Sequence, residues 1–226
     1  MEKKINYSEL EESIMLIDKS GWQSFQLSWS RGSCDVFGFL ESKNVQLMIT
    51  ETSISEIQHQ TYCPNLFAGE HVVQGVSSSG ITCGVGTSEQ SFALSSSNAA
   101  LTTLNVDPYG FPVGIFHDHE SLKQFSSLDA TPHRKHLSFP DVSVVFAAKE
   151  LAKVGRRFFV LVNDKHLFAQ LKLEGYRVLK GAQLLYWMQS SGFISSQKSR
   201  RIYEEWGRYD PGSVKKDTTF GQLFPG

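Results

Sequence analysis

Residues 139–178 read FPDVSVVFAAKELAKVGRRFFVLVNDKHLFAQLKLEGYRV. Val142, Val145, Phe146 and Leu151 recur near helical spacing behind Pro140 and Asp141, which predicts a helix starting there. Gly155 ends it as a left-handed cap would. Phe158 to Val162 is a short, unbroken apolar run, the pattern of a strand buried on both faces. Asn163 and Asp164 follow at its carboxyl end and open a second helix, with Phe168, Leu171 and Leu173 apolar. Gly175 closes that helix, and Tyr176 to Leu179 starts another strand. Helix, strand, helix, strand is the alternation of an α/β fold with a mainly parallel sheet.

The polar content of this unit lies in two acids. Asp141 stands in the first turn of one helix, and Asp164 stands where a buried strand meets the next helix. Open parallel sheets bind ligands at the carboxyl ends of their strands. Two carboxylates brought together there repel unless a cation or a proton intervenes. Each acid is also a good helix cap, so neither alone marks a site.

The preceding chain repeats the theme. Ser8 and Glu11 have capping-box spacing and predict a short first helix. The apolar run Ile14 to Ile17 is a strand that ends in Asp18. Residues 24–40 carry Phe25, Leu27, Trp29, Val36, Phe37 and Leu40, which predicts a helix kinked near Gly32. Val45 to Ile49 is a second strand, and Thr50 caps a helix reaching to about Gln60, with Glu56 on its second turn. The first sixty residues thus read β–α–β–α and the last ninety α–β–α–β–α. Between them, residues 61–136 are rich in Gly, Ser and Thr and have poor helical periodicity. Short apolar segments such as 91–94 and 113–116 predict hairpins, so the segment reads as an insertion within one domain spanning 1–226. It holds His117-Asp118-His119, with His133 and His136 nearby, a weak zinc pattern without a fixed fourth ligand. Residues 182–206 read as a helix, a break at Gly192 and a second helix. Leu184, Leu185, Trp187 and Met188 are core candidates; Lys198, Arg200 and Arg201 are candidate phosphate contacts.

Whole-chain composition names no partner. The 226 residues carry a net charge of −1 and are 40% hydrophobic, enough for a sizeable core. The distribution is uneven: residues 149–216 hold fourteen Lys and Arg against six Asp and Glu, and residues 1–60 hold five against nine. An acidic half and a basic half suit a cation site beside a polyanion groove. Cys34, Cys63 and Cys83 are too few and too scattered for a disulfide framework. The first residues, MEKKINYSEL, lack the apolar core of a signal peptide, and no run approaches the roughly 20 apolar residues that span a bilayer. A cytoplasmic protein without membrane contact is expected.

Four acids now hold comparable places: Asp18 after the first strand, Glu56 on the helix after the second, Asp141 at a helix start and Asp164 after the next buried strand. In this order they resemble the PIN-domain nucleases. The matching pieces are IMLIDKS, ITETSISEI, FPDVSVVFAAKELA and VLVNDKHLFAQLKLEGYRVLKG, followed by an apolar helix and GFIS. They cover about 12–60 and 137–206, and the 85-residue step from Glu56 to Asp141 is why the middle reads as inserted. Lys19 stands between the first acid and Ser20, where family members often have a small hydroxyl residue sooner.

The resemblance implies a three-layer α/β/α fold and a metal-dependent endoribonuclease. Asp18, Glu56, Asp141 and Asp164 become the ligands of Mg²⁺ or Mn²⁺, hard cations suited to oxygen donors. Ser20 and Asn163 become hydrogen-bond supports of those ligands, and Lys198, Arg200 and Arg201 contacts to the polymer. RNA is the implied substrate, with DNA left open, and a protein inhibitor, as in toxin–antitoxin pairs, or a second copy of the chain the implied partner. Two other readings fit the same residues: a PIN-like binding module with a silent site, and a phosphoacceptor domain using a single Asp.

Overall fold

The structure is a computed structural model that describes residues 5–22, 35–58, 76–77, 80–81, 101–106, 111–116, 118 and 136–209. Strand β1, Ile14–Ile17, is buried along its whole length. It lies between two parallel neighbours. One is β2, Gln46–Thr50, with Ile14 opposite Gln46; the other, Phe158–Leu161, has Phe158 opposite Ile14. Four consecutive apolar side chains suit that place, because a strand flanked on both edges and packed on both faces has no wet side.

The remaining strands extend the same sheet. Numbered along the chain, β3 (Val76–Ser77) and β4 (Gly80–Ile81) form a separate two-stranded ribbon. β5 (Leu101–Val106) and β6 (Phe111–Phe116) are an antiparallel pair, and β6 runs parallel to β2 with Phe116 opposite Thr50. The strand Phe158–Leu161 is β7, and β8 is Val178–Leu179, parallel to it. The order across the sheet is β5-β6-β2-β1-β7-β8, with one antiparallel edge strand on a parallel sheet.

Side-chain alternation divides the core in two. Met15 and Ile17 join Leu47, Ile49, Phe159 and Leu161 in one cluster. That cluster is closed by helix α1 (Val36–Ser42) through Phe39 and Leu40, and by a C-terminal helix, Gly181–Ser190, through Leu184, Leu185, Trp187 and Met188. Ile14 and Leu16 join Met48, Val160 and Val162 in the other cluster. Two helices close it: Phe139–Lys153 through Val144, Val145 and Leu151, and Lys165–Leu173 through Leu167 and Leu171. In chain order the helices after α1 are α2 (Glu51–Gln58), α3 (Phe139–Lys153), α4 (Lys165–Leu173), α5 (Gly181–Ser190) and α6 (Ser196–Tyr209). No helix among the described residues is long and apolar enough to cross a membrane.

Several local expectations hold, and others do not. Gly155 has φ 67°, a left-handed stop after α3. Thr50 Oγ1 accepts from the Ser53 amide and so caps α2. The predicted box of Ser8 and Glu11 does not form: the segment is a single 3₁₀ turn, Tyr7–Leu10, with no side-chain cap bond, and Glu12 turns the chain at φ 57°. The helix expected over 24–40 is described only as Val36–Ser42, started by the Asp35 carboxylate on the Gly38 amide; its earlier part lies outside the described residues. Leu173, one of the apolar residues noted in the second helix, is exposed.

The middle segment, read as an insertion of hairpins over 61–136, contributes to the main sheet where it is described. It supplies the antiparallel pair β5 and β6 to that sheet, and Phe116 is fully buried against Phe146 of α3. The physical reason is the register: β2 offers its outer edge, and an apolar run of six residues covers it. Phe116→Ala will therefore lower the unfolding free energy by about 3–5 kcal/mol. Urea unfolding with an unchanged slope and a lower midpoint would show this; a loss under about 1 kcal/mol would mean that the hairpin is peripheral.

Candidate active site

The carboxyl ends of β1, β2, β6 and β7 lie along one edge of the sheet, since all four run parallel. Asp18 leaves β1 at that edge and is buried. The turn it begins is pressed onto the end of β7. A Cβ on Gly21 would stand 2.5 Å from the Leu161 carbonyl oxygen and 2.9 Å from Ile17 Cγ1, so only glycine fits there. The Gly21 amide donates to Asp18 Oδ1 at 2.7 Å, and the Ser20 hydroxyl reaches both carboxylate oxygens, at 2.9 and 2.7 Å.

Ser20 also joins the two acid-bearing loops. Its Oγ accepts from the Asn163 amide at 2.8 Å and from the Asp164 amide at 3.2 Å. Asn163 Nδ2 donates to the Ser20 carbonyl, and its Oδ1 accepts from the Gly181 amide at the start of α5. The two residues expected to support the acids thus stitch the end of β1 to the end of β7.

Asp141, Glu56 and Asp164 complete the group. Burial pushes Asp18 up to about 7, against the downward pull of the Gly21 and Ser20 hydrogen bonds, and Asp141 adds to the rise. Burial likewise raises Asp141, hydrogen bonds from Ser138 oppose it, and the carboxylates of Asp164 and Glu56 push it further. Asp141 is therefore the centre of the cluster, since it interacts with the other three acids.

Each acid also has a local occupation. Asp141 Oδ2 accepts from the Ser138 amide and hydroxyl in a capping box at the start of α3. Asp164 Oδ1 accepts from the His166 and Leu167 amides and caps α4. Glu56 Oε1 takes the ammonium of Lys19 at 2.5 Å. Turned to these partners, no three His, Cys, Asp or Glu side chains among the described residues are gathered closely enough to hold an ion together. The donor chemistry still suits a hard divalent cation: four oxygen acids, electrostatically linked, with one tethered ammonium as their present counter-charge.

The basic residues predicted to hold a polymer lie elsewhere. Ser199 of α6 donates to Gln189 near the end of α5, whereas the first residue of α5, Gly181, touches Asn163. Lys198, Arg200 and Arg201 are thus separated from the acids by most of the length of α5, ~12 Å. Lys165, exposed beside Asp164, is closer to the acid group. Of the histidines, His117, His119 and His133 lie outside the described residues, and His136 stacks on His166 with ring centres 4.5 Å apart.

Sequence reading missed Asp118 as a site residue. It follows β6 at the same sheet edge and is wholly buried. Its Oδ1 accepts from Thr52 Oγ1 at 2.9 Å. The signal was present: FPVGIF followed by His117 and Asp118 is an apolar strand ending in an acid, as Ile14 to Asp18 is. No family model, curated protein or solved structure matches the chain.

Proposed function

We propose that the chain is a PIN-like, metal-dependent nuclease, with helices layered on both faces of its sheet and RNA as the substrate. The observation that carries the reading is the electrostatic linkage of Asp141 with Asp18, Glu56 and Asp164 at the carboxyl edge of a parallel sheet. Acids so far apart in sequence that act on one another at the ligand-binding edge of such a sheet are explained by a shared cation better than by four separate caps.

Asp18, Glu56, Asp141 and Asp164 would hold Mg²⁺ or Mn²⁺, which supplies an activated water and neutralises charge on the phosphate being cleaved. Ser20 and Asn163 keep the loops of Asp18 and Asp164 in register. Asp18, buried and raised to about 7, is about half protonated at neutral pH, and a bound cation would displace that proton. Lys19 neutralises Glu56 in the metal-free state.

The test is cleavage of labelled single-stranded RNA and DNA with Mn²⁺ and with EDTA. Cleavage in Mn²⁺ alone is expected; equal cleavage in EDTA, or none with any divalent ion, rejects the reading. Lys19→Met will tighten Mn²⁺ binding up to about fivefold, because a part-exposed ion pair is worth little and its loss frees Glu56. Titration calorimetry showing weaker binding would mean that Lys19 orders the site rather than competing for it.

A further inference from the structure

We infer that Asp118 is a positioning residue: with the hydroxyls of Thr50, Thr52, Ser53 and Ser143 it ties the helix bearing Glu56 to the helix bearing Asp141 and so sets the spacing of the acids. This rests on the cation-site reading above.

The network spans three elements. Thr52 Oγ1, in the first turn of α2, donates to Asp118 Oδ1. Ser143, in the first turn of α3, meets the hydroxyl that caps α2. Thr50 Oγ1 lies 2.7 Å from both Ser53 Oγ and Ser143 Oγ, and Ser143 Oγ also donates to the Pro140 carbonyl at 2.7 Å. Asp118, Thr50, Ser53 and Ser143 have no solvent exposure. Thr52 precedes Glu56 by one helical turn, and Ser143 follows Asp141 by two residues. A shift in either contact moves an acid.

The arrangement is poor as a packing device. Asp118 Oδ2 is buried with no hydrogen-bond partner among the described residues. An unpaired carboxyl oxygen in a dry setting destabilises the fold, and an apolar residue of similar size would avoid that cost. What the carboxyl provides is direction: it fixes the start of α2 from the end of β6, and Thr50 carries that position on to Ser143 of α3. Hydrogen-bond partners behind metal ligands act in this way, orienting the ligands without touching the ion.

Asp118→Ala and Asp118→Asn are to be compared with wild type in two measurements: Mn²⁺ titration calorimetry, and amide hydrogen exchange in EDTA over 50–58 and 138–146. Asp118→Ala is expected to weaken Mn²⁺ binding about 10- to 100-fold and to speed exchange at the first turn of α2. Asp118→Asn keeps an oxygen for Thr52 and is expected to restore both to near wild type. If Asp118→Ala does not fold, Thr52→Val, which deletes the same hydrogen bond and keeps the shape, is expected to weaken binding in the same direction. Unchanged affinity and exchange in Asp118→Ala or Thr52→Val overturn the inference. Loss of binding in Asp118→Asn as deep as in Asp118→Ala also overturns it, because the charge would then matter and not the hydrogen bond. Wild-type protein that takes up no Mn²⁺ rejects the cation reading, and the role of Asp118 in the site with it. Faster exchange in Asp118→Ala under that outcome would mark a purely structural tie.

Discussion

Asp141→Asn will lose more than about 100-fold of Mn²⁺-dependent RNA cleavage, beyond the range seen when a ligand's outer hydrogen-bond partner is removed. The metal-free protein will be at least as stable as wild type. Both effects follow from the place of Asp141 at the centre of the acid group, where Asp164 and Glu56 push it up and it pushes Asp18 up. The amide keeps the side chain's volume and an oxygen for the Ser138 amide, so the start of α3 survives. It removes the charge that repels three neighbours and that a cation would need. Cleavage kinetics and thermal unfolding in EDTA, run on one preparation, check both halves. An active variant refutes the proposed site; an inactive variant that melts much lower shows that Asp141 serves chiefly as a cap.

The second large effect is a pH dependence of stability. Asp18 is raised from 3.8 to about 7 in the folded protein, so between those values the native state holds a proton that the unfolded chain has released. Stability therefore falls as pH rises from about 4 to 7 and levels off above, by about 4 kcal/mol in total if Asp18 acts alone. Asp18→Asn, neutral at every pH, will remove most of that slope. Asp118 and Asp141, also raised by burial, leave a smaller slope of the same sign. Urea midpoints of the two proteins in EDTA across this range test it. Parallel curves would mean that Asp18 stays ionised at neutral pH. Mn²⁺ affinity of the wild type should climb over the same interval, because the ion must displace the proton.

What could be read from the chain was whatever short range decides. Phe158 to Val162 and Ile14 to Ile17 are apolar without a break because their strands are walled in on all sides, and each is closed by a residue that fits a strand end. The acids at those ends were legible for the same reason. The run 113–116 was equally apolar, and its Gly-, Ser- and Thr-rich surroundings pointed to hairpins without naming their partner in the sheet. Its attachment to β2 is a long-range pairing of which neither strand carries a local mark. Asp118 was hidden with it, read only as the middle of a histidine pattern. Lys198, Arg200 and Arg201 were offered as phosphate contacts from the charge of their helix alone, and the length of α5 that separates them from the acids is a property of the assembled helices, not of the helix that bears them.

The central position of β1 has a consequence for synthesis. Its two partners are unequal in sequence distance: β2 lies about thirty residues on, β7 about 144, as the pairings of Ile14 with Gln46 and Phe158 require. The loop from Asp18 cannot be pinned by Asn163 until the latter has left the ribosome. At 5–20 residues per second, that is roughly 7–30 s after Asp18 itself emerges. Throughout that interval the growing chain carries Asp18, Glu56 and, late, Asp141, but not Asp164. The proposed cation site therefore stays incomplete until Asp164 has been made.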